Sequence, residues 1–223
     1  MALTVLLDVD GTLVDNSYIH TLAWWRACRD LGVAVKMATV HRLIGMGADQ
    51  MVPALIGEAL PGLDDAHARH YRAHLADVPV LPRASELIAE LHRREATVTV
   101  ATSGGPEDLR VLLAKIPSSA LLDHVVSGAD VGETKPAPDV AVVAMGASGA
   151  DPSSAVLVGD TRWDVEAAAR AGIPCVAVCT GGWSEQELRA AGAVEVHDDV
   201  AALLAGLDDS HIGRRSGWAT PRR

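Results

Sequence analysis

The 223-residue chain has no phenylalanine and only two tyrosines, three cysteines and three lysines. Three cysteines cannot all pair, and Cys175 and Cys179 lie in the apolar run IPCVAVCT instead of at a metal-ligand spacing. Cys28, Cys175 and Cys179 therefore read as buried small hydrophobes, which argues against a disulfide scaffold or a thiolate metal centre. No run approaches the roughly 18 apolar residues of a membrane span. The N-terminal MALTVLLDVDG has no basic region, and acids interrupt its short apolar stretch from Val5 to Val9, so a secretory signal is not expected and the cytoplasm is the default. Positive charge is also short. Lys+Arg number 19 against 29 Asp+Glu, a formal net charge of −10, which argues against nucleic acid or an anionic membrane as partner.

What is present is a folded chain. Apolar residues make up 49% and charged residues 22% of it, with a mean hydropathy of +0.18. The length suits one domain, or a core domain carrying an inserted lobe of about 60 to 80 residues. LTVLLD at 3–8 is an apolar, β-branched run ending in an acidic, glycine-containing turn, the pattern of a buried parallel strand. It recurs in TVTVATSGG (97–105), AVLVGDT (155–161) and PCVAVCTGG (174–182), and more weakly in DHVVSG (123–128) and AVEVHDD (193–199). Helix-period segments at 84–93, 106–115, 137–145, 163–171 and 184–191 lie between these runs. The alternation predicts an α/β, Rossmann-like doubly wound parallel sheet, whose ligands bind beyond the carboxyl ends of the strands.

Residues 16–81 break the alternation with helical patterns alone, among them SYIHTLAWWRACRDLG and the Pro53-interrupted ADQMVPALIGEAL. They read as a helical cap inserted after the first strand. The core is then 1–15 and 82–207, with hinges near 14–17 and 80–83, and the Arg-rich stretch 208–223 reads as a flexible tail. Ile19, Leu22, Ala23 and Ala27 repeat at helical spacing as cap core.

The strand ends carry the chemistry. Asp8 and Asp10 are two apart, so on an extended backbone they face one side, and Gly11 lets the chain fold tightly behind them. Thr102-Ser103-Gly104-Gly105 offers a hydroxyl and backbone N–H groups ahead of a Pro106-led helix, which are anion-binding parts. Prolines stiffen the loop GETKPAPD around Lys135, and Gly159-Asp160 closes a strand with Asp164 four residues on. Singly, each has a structural explanation in turn formation, capping or a solvated lysine. Together they set four carboxylates, a lysine and anion donors at one sheet edge. Clustered acids repel unless a hard cation joins them, and Mg²⁺ takes oxygen ligands while keeping positions open for phosphate.

DVDGTLVD at 8–15, VATSG at 100–104, Lys135-Pro136 and VGDTRWDVEAAARAG at 158–172 resemble the four ordered motifs of the haloacid dehalogenase superfamily. The helical insertion resembles the small cap of its phosphoglycolate phosphatase-like and β-phosphoglucomutase-like members. The resemblance implies Asp8 as nucleophile, Asp10 as acid/base, and Thr102 and Lys135 on the phosphoryl oxygens. It further implies Mg²⁺ held by the Asp8 side chain, the Asp10 carbonyl and Asp160, with Asp164 as a supporting or alternative ligand. Val9, Gly11, Ser103 and Gly104 would line the phosphate cradle, with backbone N–H groups near Val9, Asp10 and Ser103 as donors, and His20 would reach in from the cap hinge. The expected activity is hydrolysis of a small phosphomonoester, phosphoglycolate-like or a sugar phosphate, by a monomer or homodimer.

Asp10 together with Asp160 favours phosphoryl chemistry over carbon–halogen cleavage, for which the resemblance implies no second acid and no metal. β-Phosphoglucomutase-like transfer is the rival: His20 fits it, but the cap segment IGMGADQ lacks the arginine that would hold a second phosphate, and TSG departs from the mutase form. A silent binding protein of the same fold is a third reading, and the complete set of four motifs speaks against it. In the cap, His20, Trp24, Arg42, Met46 and Gln50 are candidates for the pocket wall.

Overall fold

The structure is a computed structural model that describes residues 3–216. β1 (Thr4–Leu7) is followed by α1 (Ser17–Asp30), α2 (Met37–His41), α3 (Ala48–Ile56) and α4 (Leu63–Arg72). The chain then alternates through α5 (Ala84–Arg93), β2 (Thr97–Ala101), α6 (Pro106–Leu113), β3 (His124–Val126), α7 (Asp139–Ser148), β4 (Ala155–Gly159), α8 (Arg162–Arg170), β5 (Cys175–Val178), α9 (Glu185–Ala191) and β6 (Glu195–His197). It ends in α10 (Val200–Ala205) and α11 (His211–Ser216). The six strands form one sheet in the order β3-β2-β1-β4-β5-β6, with every pairing parallel.

Side chains alternate across a strand, and here the alternation builds two cores. Val5, Leu7, Val98, Val100, Val156 and Val158 pack on one face against α5, α6, α10 and α11. Leu6, Ala101, Leu157 and Ala177 pack on the other against α7, α8 and α9. A strand buried on both faces must read as continuous apolar sequence, which is why β1, β2, β4 and β5 were plain and the two edge strands faint: Val125 of β3 is 46% exposed.

Residues 17–77 hold α1 to α4 and none of the sheet strands. They have a core of their own around Trp24, Cys28, Val40, Met51 and Leu63. Of the α1 residues expected in it, only Ala27 belongs. Ala23 packs with the sheet's core, Ile19 lies against it, and Leu22 is half-buried. Pro53 does not interrupt α3, which continues to a left-handed Gly57 (φ +87°). The lobe is tied to the sheet by two crossing segments: Asp15 N–H donates to the Pro79 carbonyl (3.0 Å) and Leu81 N–H to the Leu13 carbonyl (2.9 Å).

The tail departs from expectation, and the cysteines largely follow it. The flexible tail expected from 208 is ordered as far as 216, because α11 inserts Ile212, wholly buried, under the first core; residues 217–223 lie outside the described residues. Cys28 and Cys175 are buried and Cys179 half-buried, all three as free thiols.

Candidate active site

In an open α/β sheet the chain leaves in opposite directions on either side of the first strand, and the carboxyl-end crevice between them takes the ligand. Here β1 lies between β2 and β4. Asp8 leaves β1, Thr102 leaves β2, and Asp160 leaves β4, so three turns distant in sequence meet at one edge. Lys135 comes in from the loop before α7, and its peptide bond to Pro136 is cis.

The centre is a buried charge cluster. The Lys135 ammonium, 1% exposed, lies 2.5 Å from Asp8 Oδ1 and 2.7 Å from Asp164 Oδ1. Asp164 caps α8 as well, its Oδ2 accepting from the N–H (3.0 Å) and hydroxyl (2.6 Å) of Thr161. Asp160 is fully buried. Its Oδ1 accepts from the Thr12 hydroxyl at 3.0 Å, and its Oδ2 has no hydrogen-bond partner. Gly11 (φ +80°) and Gly181 press backbone against that oxygen, since a Cβ would fall 2.2 Å or 1.9 Å from it.

Asp10 belongs to a different set of partners. Its Oδ1 accepts from the Asn16 amide and lies 3.4 Å from His20 Nε2, while its Oδ2 receives a long 3.4 Å contact from the Thr102 hydroxyl. Asn16 is fixed in turn by donating to the Tyr71 hydroxyl (2.8 Å), and His20 Nδ1 meets His67 Nε2 at 3.1 Å.

These surroundings separate the two acids. Burial raises the Asp8 carboxyl most; Lys135 opposes it, Asp164 and Asp10 add to it, and the group is pushed up to about 7. Burial disfavours charge on Asp10 too, but hydrogen bonding and charge from His20, with Asn16, hold it below the usual carboxylate range. Burial and the neighbouring Asp164 and Asp8 drive Asp160 far upward. Lys135 lies above the ordinary lysine range, its burial outweighed by Asp164 and Asp8.

One lysine for three buried acids leaves the cluster short of positive charge. Oxygens of Asp8, Asp160 and Asp164 lie within 4.8 Å of one another, a hard, all-oxygen donor set with one orphaned atom. That set fits Mg²⁺.

Residues 5–178 match the family model described as haloacid dehalogenase-like hydrolase. The chain belongs to this family. A relative from Cupriavidus necator, a plasmid-encoded phosphoglycolate phosphatase, is 34% identical over 93% of this chain and 94% of its own. A validoxylamine A 7'-phosphate phosphatase from Streptomyces hygroscopicus subsp. limoneus is 30% identical, covering 78% and 84%. A hydrolase structure from Pseudomonas syringae superposes with a TM-score of 0.87 at 31% identity, over 93% of this chain and 98% of that one.

Within this hydrolase family's fold, several expected residues take positions other than those read from sequence. Asp8 and Asp10 both line one cavity but take different hydrogen-bond partners, and the Asp10 carboxylate lies outside the three-acid cluster. Gly11 gives its N–H to the Val14 carbonyl (2.8 Å), and Gly104 gives its N–H to the Thr102 hydroxyl (3.0 Å). The Gly11 N–H is thus taken by Val14, and the residue's lack of a side chain leaves room beside Asp160. The Val9 side chain lies in the core and the Ser103 hydroxyl accepts from the Lys135 N–H at 3.3 Å, neither of which engages the backbone N–H groups expected to serve as donors there.

In the cap, His20, Trp24 and Met46 line the cavity over Asp8 and Asp10, whereas Arg42 and Gln50 do not. Arg42 instead pairs with Glu187 at 2.5 Å and lies 3.3 Å over the Trp183 ring, joining cap to core. The cap loop closes onto the site through glycines. Gly47 N–H donates to the Thr134 hydroxyl (2.9 Å), and a Cβ on Gly45 would meet the Thr161 side chain at 2.7 Å.

Thr12, Asn16, His67, Tyr71 and Thr161 support the site and were not singled out from sequence. Thr12 and Thr161 sit inside recognised motifs. His67 and Tyr71 are four apart on one face of α4, which in sequence looks like any amphipathic helix.

Proposed function

We propose that the protein is a Mg²⁺-dependent phosphatase that hydrolyses a small phosphomonoester through an aspartyl-phosphate on Asp8. The observation carrying this reading is the division of labour between two acids: Asp8 sits on Lys135 inside the acidic cluster, while Asp10 is held apart by His20, Asn16 and Thr102. The names of the phosphatase relatives support the reading.

In the first half-reaction an Asp8 oxygen attacks phosphorus and the bond to the alcohol oxygen breaks, with Asp10, carrying the proton it took from water in the preceding turnover, protonating the departing alkoxide. In the second, Asp10 takes a proton from water, which attacks phosphorus and frees inorganic phosphate and Asp8. The partners that keep Asp10 ionised in the closed arrangement suit this second role. Lys135 steadies Asp8 as an anion and, with Thr102, faces the phosphoryl oxygens. Asp8, the Asp10 carbonyl and Asp160 would hold Mg²⁺, with Asp164 orienting Lys135. Bound there, the ion would supply positive charge against the phosphoryl oxygens.

Purified protein with Mg²⁺ should hydrolyse 4-nitrophenyl phosphate, and EDTA should stop it. Asp8→Asn should lower kcat on the order of 10⁴-fold or more. Wild-type turnover in Asp8→Asn would remove Asp8 as nucleophile, and EDTA-resistant turnover would remove the metal.

A further inference from the structure

The cap and core enclose a cavity of about 260 Å³ that opens from Asp8 and Asp10, just below the usual range of roughly 300–1,000 Å³ for small-molecule sites. One wall is a ladder of flat rings. Trp24 stacks on His67 with centroids 4.0 Å apart, and His20 on Tyr71 at 3.9 Å. Leu109, Leu112 and Met46 also line it.

Charge is distributed to repel a second anion. Arg72 is the one Lys or Arg side chain among the lining residues. It is already bound twice, its Nε to Asp108 at 2.8 Å and its Nη2 to Glu107 at 2.9 Å, so that corner carries one cation against two carboxylates. His20 is engaged by Asp10 and His67. Burial, the largest influence, keeps His67 well below the ordinary histidine range and therefore neutral. Lys135 lies beneath the cavity between Asp8 and Asp164.

We propose that the leaving group is an uncharged alcohol, and that esters bearing a second carboxylate or phosphate are discriminated against. The proposal rests on the phosphatase reading and chooses within it. The stacked rings with Met46, Leu109 and Leu112 give a neutral carbon skeleton apolar contact. A carboxylate reaching Arg72 would meet the like charges of Asp108 and Glu107 there, and against the apolar part of the wall it would lose its water. The relatives carry the names of two different phosphate esters, so membership of the family leaves the leaving group open.

The test compares kcat/KM, with Mg²⁺, for cyclohexylmethyl phosphate, its 4-carboxylate analogue and phosphoglycolate. The neutral ring should lead both carboxylates by about tenfold or more, as expected for like charges brought together at a partly desolvated site. Met46→Lys places a cation on the wall and should raise the carboxylate analogue relative to the neutral ester. Equal or reversed preference in the wild type, or an unmoved ratio in Met46→Lys, overturns the proposal while the phosphatase reading stands. Failure to hydrolyse any of the esters, 4-nitrophenyl phosphate included, overturns both.

Discussion

Gly181 follows β5, outside the four sequence motifs, yet it presses on Asp160. An alanine Cβ there would lie 1.9 Å from Asp160 Oδ2, 2.8 Å from Cγ and 3.0 Å from the Asp160 carbonyl oxygen. No relaxation of a flexible side-chain tip absorbs this, because Asp160 is fully buried and held by Thr12. To make room, Asp160 must turn away, losing a hydrogen bond to a charged group, worth about 1.5–3 kcal/mol, and adopting an off-rotamer side chain at about 0.5–1.5 kcal/mol. Gly181→Ala should therefore destabilise the fold by roughly 2–4 kcal/mol. The displaced carboxylate should also raise the Mg²⁺ concentration for half-maximal activity about 10- to 100-fold.

Urea unfolding and a Mg²⁺ titration of 4-nitrophenyl phosphate hydrolysis read the two effects separately. Gly146→Ala is the control: Gly146 lies exposed in α7 with nothing within 4 Å of a new Cβ, so alanine should stabilise by about 0.5–1 kcal/mol. A Gly181→Ala protein with the wild-type urea midpoint and Mg²⁺ response would refute the steric argument.

Two further outcomes follow from side-chain contacts. Arg42→Ala removes the guanidinium from Trp183 and Glu187, both on the core side of the cap closure; KM should rise about two- to fivefold with kcat little changed, as befits a partly exposed cation–π contact, and steady-state kinetics checks it. Glu90, hydrogen-bonded by Arg93 and then Arg94, is held down to about 2 from 4.5. Its folded pKa is depressed, so its contribution is present above about pH 4.5 and fades as pH falls toward 2. The stability gap between wild type and Glu90→Gln in urea unfolding should be constant from pH 7 to about 4.5 and close below it; a gap that persists unchanged near pH 2 would contradict the assignment.

The sequence by itself determined the sheet, because four strands buried on both faces must be written as apolar runs, and it placed Asp8, Thr102, Lys135 and Asp160 at the ends of elements whose order is local information. It also carried the helical character of residues 17–77, since helical spacing shows wherever one face is buried. The edge strands β3 and β6 were faint because half their surface meets water, and α11 was missed because a single buried apolar residue, Ile212, anchors it among arginines.

Only the tertiary structure decided which acids act together. Spacing along the chain put Asp8 and Asp10 on one side, and both do line one cavity, but only the fold gives Asp10 to Asn16 and His20 and Asp8 to Lys135, 127 residues away in sequence. The same holds for the cavity wall. His67 and Tyr71 approach His20 because α4 packs on α1, and Arg42 leaves the cavity because Trp183 and Glu187 come to it from the core. Contacts of this kind depend on distance in space between residues far apart in the chain, and no local pattern of residue types encodes that distance.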